Sequence, residues 1–450
     1  MRVVGIVAEY NPFHSGHEYQ IKKAREIYGE DTPIIAVMSG NFVQRGEPAI
    51  AGKWLRTETA LRCGVDLVIE IPFTFACASA ERFAYGAISL LNATGVVTDL
   101  YFGSECDDLA LLCCLSDEYD EENPVYISTL RENLRSGHSY AKSRELAVTA
   151  LFKEIGRPEL GEASSELMRM PNSILALEYL IAIRKTNSSI VPAVLRREGA
   201  GYLSCSTESS FASATGIRSI VHKHTVNSHT DISGLADALN GKMPDASLAL
   251  LLSQWQKGIQ PVFPAMFVNE QIMRIRSQSA ESLLSYAYMG DNLSLRLRNA
   301  VSQMRDTAPE QICSTFRELS DTKRFAATRI NRAMASILVG QLEKDLEFLH
   351  SPEYLRVLGF SERGRNLLRI MRKSATLPIM DKASDFLQHA GNSRLTRMSE
   401  LDLISAEIWG LSAGLRYGDE FERRVIRLSK TGTVKIPKAT DISGPSESIT

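Results

Sequence analysis

Val3-Val4-Gly5-Ile6-Val7-Ala8-Glu9-Tyr10-Asn11-Pro12-Phe13-His14-Ser15-Gly16-His17 is the stretch on which the fold turns. Val3–Val7 is a β-branched run of the kind that fills a strand buried on both faces. The run breaks at Asn11-Pro12, and a helix opening at Ser15-Gly16 is expected over His14–Tyr28. The same unit recurs downstream. Ile34–Met38 is a second apolar run, closed by Ser39-Gly40-Asn41. Lys53–Cys63 reads as a helix, Val65–Ile71 as a strand stopped by Pro72, Ala78–Asn92 as a helix, and Asp99–Phe102 as a strand ending in Gly103-Ser104-Glu105. This alternation predicts a parallel sheet with crossover helices. Such sheets bind ligands at the carboxyl ends of their strands, here Ala8–His17, Ser39–Glu47, Pro72–Phe75 and Gly103–Glu105.

Beyond Leu109 the pattern turns helical to about Thr186, so a helical insertion is expected over about 109–186. Its acidic run Asp117–Glu122 reads as a solvated helix end or loop. Ile190–Leu195 is a further strand, and Ser213–Lys223 opens another helix. After about residue 230 the periodicity is mainly helical, broken at Pro261, Pro264, Pro309, Pro352 and Pro378. Thr431–Thr450 is rich in Ser, Thr, Gly and Pro. The expected architecture is an α/β, Rossmann-like domain with a parallel sheet over 1–225, a mainly α-helical C-terminal domain over 226–430, and a polar tail over 431–450.

The chain has 450 residues, 44% apolar and 23% charged, with a formal net charge of −2. That composition excludes a disordered, collagenous or disulfide-scaffold chain. Near-neutrality argues against a simple polycation, but the average hides asymmetry. Residues 1–225 carry 22 basic and 28 acidic side chains, net −6, and residues 226–450 carry 29 and 25, net +4. A basic half hints at a polyanionic partner. The seven cysteines (Cys63, Cys77, Cys106, Cys113, Cys114, Cys205 and Cys313) form no CxxC pair. With no apolar leader, they read as reduced thiols of a cytoplasmic protein. No run of about 18 apolar residues exists, so no membrane span is expected.

His14 and His17 lie three apart across a helix start, where both can face one ligand. Gly16 admits close approach of a phosphate, and the helix terminus adds free N–H groups and partial positive charge. Two imidazoles at such a terminus suit the α-phosphate of a nucleotide, stabilising charge on phosphorus as pyrophosphate leaves. A metal pair or two surface histidines are the competing readings, and the metal pair lacks a third ligand nearby. Ser213, Thr215 and Arg218 form a second set, hydroxyls at a helix start with an Arg that can clamp β- and γ-phosphates; a helix cap beside an exposed Arg is the plainer alternative. Together the sets resemble the nucleotidyltransferase superfamily, whose first motif is (H/T)xGH and whose second resembles ISSTxIR. Ala212 and Ala214 replace the Ile and one Ser of the latter.

Further segments narrow the resemblance. Val37–Ala49 (VMSGNFVQRGEPA), Pro171–Tyr179 (PNSILALEY), Arg196–Tyr202 (RREGAGY) and Phe102–Glu105 (FGSE), together with Glu9–His17, resemble the bacterial tRNA(Met) cytidine acetate ligase family. The resemblance covers about residues 1–225 well and the helical remainder loosely. It implies that acetate attacks the α-phosphorus of ATP to give acetyl-adenylate and pyrophosphate. The wobble cytidine of elongator tRNA(Met) then takes the acetyl group as N4-acetylcytidine. Carried over by motif, the ATP site comprises Val7, Ala8, Glu9, Tyr10, Asn11, Pro12, Phe13, His14, Ser15, Gly16, His17, Glu18, Tyr19 and Gln20, with Gly103, Asn172 and Arg197. Mg2+ is expected to accompany ATP.

Gln44 and Arg45, in the loop after the second strand, are candidates for the acid-substrate pocket; an Arg45–Glu47 pair in a surface loop is the alternative. Lys22 and Lys23 serve either phosphate or a solvated helix face. Arg365, Arg369 and Arg372 or Lys373 share a helix face and are candidates for tRNA contact, with Lys323, Arg324, Arg329 and Arg332 as a second basic cluster. His222, His224 and His229 lack a clear fourth ligand, so no zinc is expected. Trp54, Trp255 and Trp409 read as core. Two other functions stay open: a related superfamily enzyme with a small-molecule acceptor, and a non-catalytic RNA-binding protein.

Overall fold

The computed structural model describes residues 1–119, 121–197, 212–226, 229–322, 325–389, 391–429 and 433–435. Five parallel strands, β1 (Val4–Ala8), β2 (Ile34–Ser39), β3 (Leu67–Ile71), β4 (Asp99–Ser104) and β5 (Val191–Arg196), run in the order β3-β2-β1-β4-β5. The helices α1 (Ser15–Tyr28), α2 (Lys53–Arg62) and α3 (Ala80–Ala93) connect them.

Alternate residues of each strand feed two different cores, as a pleated strand requires. Val3, Ile35, Val37, Leu67, Ile69 and Leu100 pack with Phe83, Ile88 and Leu91 of α3 on one side. Val4, Ile6, Ile34, Ala36, Met38 and Val68 pack with Ile21 of α1 and Leu61 of α2 on the other. Both faces are therefore covered, which is why these strands read as unbroken apolar runs. Each such fully buried Ile or Leu contributes roughly 1.5–3 kcal/mol.

The insertion expected over 109–186 is built from helices Leu109–Glu118, Pro124–Arg135, Tyr140–Glu154, Pro158–Leu167 and Pro171–Lys185. Helix α4 (Ala214–Lys223) follows. The expected boundary at 225/226 does not bound the sheet, and this corrects the sequence reading. After α5 (Ala327–Val339), strand β6 (Leu355–Phe360) pairs antiparallel with β3. Helix α6 (Glu362–Ser374) leads to β7 (Ile379–Met380), which pairs with β6. Helix α7 (Ser393–Ser412), β8 (Ile426–Leu428) and β9 (Val434–Lys435) follow, giving one nine-stranded, mostly parallel sheet among the described residues. The physical reason is local. Leu355, Val357 and Leu358 are wholly buried in a six-residue run, too short for a helix of the surrounding kind and bracketed by Pro352 and Ser361. No described helix is long and apolar enough to cross a membrane.

A buried ionic cluster ties this C-terminal part to the sheet. Lys53 Nζ lies 2.8 Å from Glu70 Oε1 and 2.9 Å from Glu420 Oε1. Trp54 Nε1 donates to Glu420 Oε2 at 2.9 Å, and Arg356 stands 3.6 Å from Glu420. Burial opposes the charge on Lys53, but Glu420 and Glu70 override it and hold its pKa up. Trp409, on α7, donates to the Ala49 carbonyl at 2.7 Å. The tryptophans thus serve packing and anchoring.

Candidate nucleotide site

The exits of β1, β2, β4 and β5 meet at one corner. His14 is the N-cap of α1. Its Nδ1 accepts the Gly16 N–H at 3.0 Å, and His17 Nδ1 accepts the His14 N–H at 3.2 Å. A neutral imidazole that accepts at Nδ1 carries its proton on Nε2. The reciprocal cap therefore sets both tautomers at once and leaves two Nε2–H donors. The rings lie 3.9 Å apart, and Tyr10 and Phe13 brace His17 at 4.9 and 5.4 Å. A Cβ on Gly16 would meet the His14 ring at 2.9 Å. Glycine is needed here for the cap itself, a reason the sequence reading did not include. Further along α1, Gln20 donates to the Tyr101 carbonyl at 3.1 Å and tethers the helix to β4. Glu18 pairs with Lys22 at 3.2 Å, Tyr19 lies under Lys23, and Lys23 pairs with Glu26, so both lysines take the solvated-face alternative.

Burial lowers the His14 pKa to about 3, helped by Arg197 and Arg218. Burial, then His14 and Arg197, hold His17 well below its ordinary 6.5. Both rings are neutral hydrogen-bond donors at pH 7. The unfolded chain binds more protons than the folded one below pH 6.5. Stability is therefore complete above that pH and declines as pH falls from 6.5 toward 3. Thermal melts across pH 4–8 should show a decline that is shallower in a His14→Asn/His17→Asn double variant; equal slopes would contradict the burial account.

A second group stands on β4 and β5. Glu105 accepts the Asn172 and Ser173 backbone N–H groups at 3.3 and 2.7 Å, capping helix Pro171–Lys185. It also takes Asn172 Nδ2 at 2.6 Å, which turns Asn172 Oδ1 to accept Arg197 Nη1 at 2.8 Å. A Cβ on Gly103 would meet Arg197 Cγ at 3.2 Å, so the glycine makes room for the arginine. Arg197 in turn lies near enough to depress both histidines. Gly103, Asn172 and Arg197 thus lie together, with Glu105 as the organiser. Glu105 belongs to a quoted segment, but its role as a cap was missed.

The second motif docks on the first. Ser213 Oγ accepts the Gly216 N–H at 3.1 Å and is the N-cap of α4. Arg218 donates to the Asn11 carbonyl at 2.8 Å and to Thr215 Oγ1 at 3.2 Å. Burial lowers its pKa against the pull of Glu47 and Glu9. Desolvation raises the pKa of the half-buried Glu9, while the Gln44 N–H at 2.9 Å, Arg218 and Arg45 oppose the rise. Arg56 is the largest omission from the sequence reading. It is 1% exposed and donates to the carbonyls of Ala51, Glu9, Ser39 and Gly40, stitching the exits of β1 and β2 together. Nothing in a helix reading of Lys53–Cys63 marks it.

The basic helix stands elsewhere. Ser361 N donates to the Asp66 carbonyl, and Arg363 lies against Glu30 and Asp31. At the far end of α6, Ser374 Oγ donates to the Thr94 carbonyl. All these partners sit in loops that enter β2, β3 and β4. Arg365, Arg369, Arg372 and Lys373 are exposed there, at the opposite edge of the sheet from the histidines and about one strand length, roughly 17–20 Å, away. In the second cluster, Arg329 pairs with Asp291 at 2.9 Å and Arg332 is half-buried; Lys323 and Arg324 lie outside the described residues, as do Glu198–Tyr202. His222 packs edge-on against Phe263, and His224 lies 3.6 Å from Asp231. Among the described residues no three His, Cys, Asp or Glu side chains are grouped to hold a metal.

A sequence model of the HIGH nucleotidyl transferase family matches residues 1–418. The tRNA(Met) cytidine acetate ligase of Acetivibrio thermocellus is 36% identical over 437 residues, 95% of this chain and 100% of the relative. That of Thermoanaerobacter sp. is 37% identical over 414 residues, 92% and 96% of the two chains. The crystal structure of Thermotoga maritima TmcAL bound with alpha-thio ATP superposes with a TM-score of 0.82 at 31% identity, covering 95% of this chain and all of that one; the apo form gives 0.86 at 32% with the same coverage. The chain belongs to the tRNA(Met) cytidine acetate ligase family, within the HIGH nucleotidyl transferases.

Proposed function

We propose that this protein activates acetate with ATP and transfers the acetyl group to the wobble cytidine of elongator tRNA(Met). The observation that carries the reading is the pair of Nε2–H donors set by the His14–His17 cap, with Arg197 and Arg218 beside them. An acetate oxygen attacks the α-phosphorus and the bond to pyrophosphate breaks. The charge that grows on the non-bridging oxygens meets two neutral donors and the N-terminus of α1, and these lose nothing to reorganisation at the moment of reaction. Arg218, held between Asn11 and Thr215, neutralises the departing pyrophosphate; Ser213 holds the N-terminus of α4 that supports it. Arg197 takes the nucleoside side, oriented by Asn172. Gln44 and Arg45 face the acid. Mg2+ would arrive on the triphosphate and share its charge. The N4 amine of cytidine then attacks the acyl carbon, AMP leaves and the amine sheds one proton. Both substrates place the reaction in the cytoplasm.

Mass spectrometry of tRNA(Met) after incubation with ATP and isotopically labelled acetate tests the reading. One labelled acetyl group on cytidine is expected; label on a small-molecule acceptor and none on tRNA would replace it with the related-enzyme reading. The position of α6 gives a second expectation. Replacing Arg365, Arg369 and Arg372 by Ala should change acetate-dependent ATP–pyrophosphate exchange less than about twofold. Full-length tRNA should bind the variant more weakly and with a shallower salt dependence, while an isolated anticodon stem-loop should bind it as it binds the parent. Equal weakening of both RNAs would place the anticodon at α6.

A further inference from the structure

The turn that carries Gln44 and Arg45 is held from the helical half of the chain. Gly46 N–H closes on the Val43 carbonyl at 2.9 Å, and Val43 N–H reaches Glu47 at 2.9 Å. Gly46 has φ +79°, and a Cβ there would sit 2.3 Å from the backbone nitrogen of Arg332. Only glycine permits both the left-handed turn and this contact of backbone with backbone. Gln44 is engaged at three points. Its N–H donates to Glu9, its side chain to the Ala78 carbonyl at 3.1 Å, and its carbonyl accepts Arg332 Nη1 at 3.4 Å. Asn331 Nδ2 reaches Glu47 at 3.5 Å.

Arg332 is a costly residue for such a place. Burial lowers its pKa. Its Nε is buried without a hydrogen-bond partner, and its guanidinium lies 5.5 Å from the Tyr288 ring. No carboxylate among the described residues stands within ion-pair distance of it. Arg332 is half-buried, and a partly desolvated cation without a counter-charge does not stabilise a fold by itself. What it does hold is the Gln44 carbonyl, next to the residue whose charge acts on Glu9 and Arg218.

We propose that Arg332 is a positioning residue for adenylate formation: α5 of the helical half holds the Val43–Gly46 turn so that Arg45 faces the acid substrate and the phosphates. The helical half is then part of the acid-activation site as well as of tRNA handling. The inference rests on the proposed acetate activation and on Arg45 acting in it.

The test is ATP–pyrophosphate exchange without tRNA, with acetate varied, alongside calorimetric titration of ATP and a thermal melt for each variant. For Arg332→Ala, kcat/KM for acetate is expected to fall by about tenfold to a hundredfold, the loss that a misplacement of about 1 Å produces. ATP affinity should stay within about twofold. Arg332→Lys should recover part of the loss, and millimolar guanidinium should restore part of it to Arg332→Ala. Gly46→Ala displaces the turn from the other side and should reproduce the loss without response to guanidinium. Acetate kcat/KM within about twofold of the parent in either alanine variant would overturn the proposal, as would losses in acetate and ATP parameters that match each other. If Arg332→Ala does not fold, Arg332→Lys and Gly46→Ala decide alone. Failure of the parent protein to show acetate-dependent exchange would instead remove the proposed function.

Discussion

His17→Asn is expected to fold as the parent does and to lose about 10²–10³-fold in acetate-dependent ATP–pyrophosphate exchange, the scale of removing one preorganised donor to a developing oxyanion. The choice of Asn separates two roles of one ring. His17 Nδ1 accepts the His14 N–H at 3.2 Å, and an Asn Oδ1 occupies nearly the same place. The cap and the tautomer of His14 survive. The Nε2–H has no counterpart in Asn, so only the donor to phosphate is removed. His17→Gln is the complement: its amide can reach the Nε2 position, but the His17 half of the reciprocal cap is lost, and a stability loss of about 0.5–2 kcal/mol accompanies whatever activity remains. Exchange rates and urea midpoints measured on both variants distinguish the roles. A His17→Asn enzyme with parental exchange would remove the ring from the chemistry.

Lys53→Met should cost about 3–5 kcal/mol, because it strands Glu70 and Glu420 in the interior. Their side chains are 4% and 6% exposed, and Lys53 holds both within 2.9 Å. Burial works to raise the Glu420 pKa, but Lys53 and Arg356 prevail and keep it below its ordinary value. Without Lys53 two carboxylates share one buried space, and Arg356 at 3.6 Å reaches only Glu420. A Lys53→Met/Glu70→Gln pair should recover a substantial part of the loss by removing one stranded charge. Denaturant unfolding of the parent and both variants measures this. A single variant within about 1 kcal/mol of the parent would mean that water or rearrangement replaces the lysine.

The parts of the fold that were readable are those whose signal is local. β1 to β4 are apolar runs closed by turn residues, and their helices follow at crossover spacing, so sheet and ligand edge could both be placed. The histidine motif was readable for the same reason, since its geometry is contained within four residues of a helix start. The unreadable parts depend on contacts far apart in sequence. Arg56 is a helical arginine until the exits of β1 and β2 fold around it. Lys53, Glu70 and Glu420 are ordinary surface-type charges until β6 and α7 close over them. Strand β6 runs antiparallel to β3, so α6 starts at the edge where the parallel strands begin. That reversal puts the basic helix at the edge opposite the histidines, and no property of residues 363–373 encodes it. Gly46 and Arg332 belong to the same class: the glycine of a turn and a helical arginine became one contact only in three dimensions.

The corner at the exit of β1 is expected to activate the acid before any tRNA is engaged. Isotopic exchange between pyrophosphate and ATP, measured without tRNA and with acetate present or absent, tests it most directly. The expected result is exchange that requires acetate, needs no tRNA and disappears in His17→Asn. Exchange that occurs without acetate, or only when tRNA is added, would contradict it.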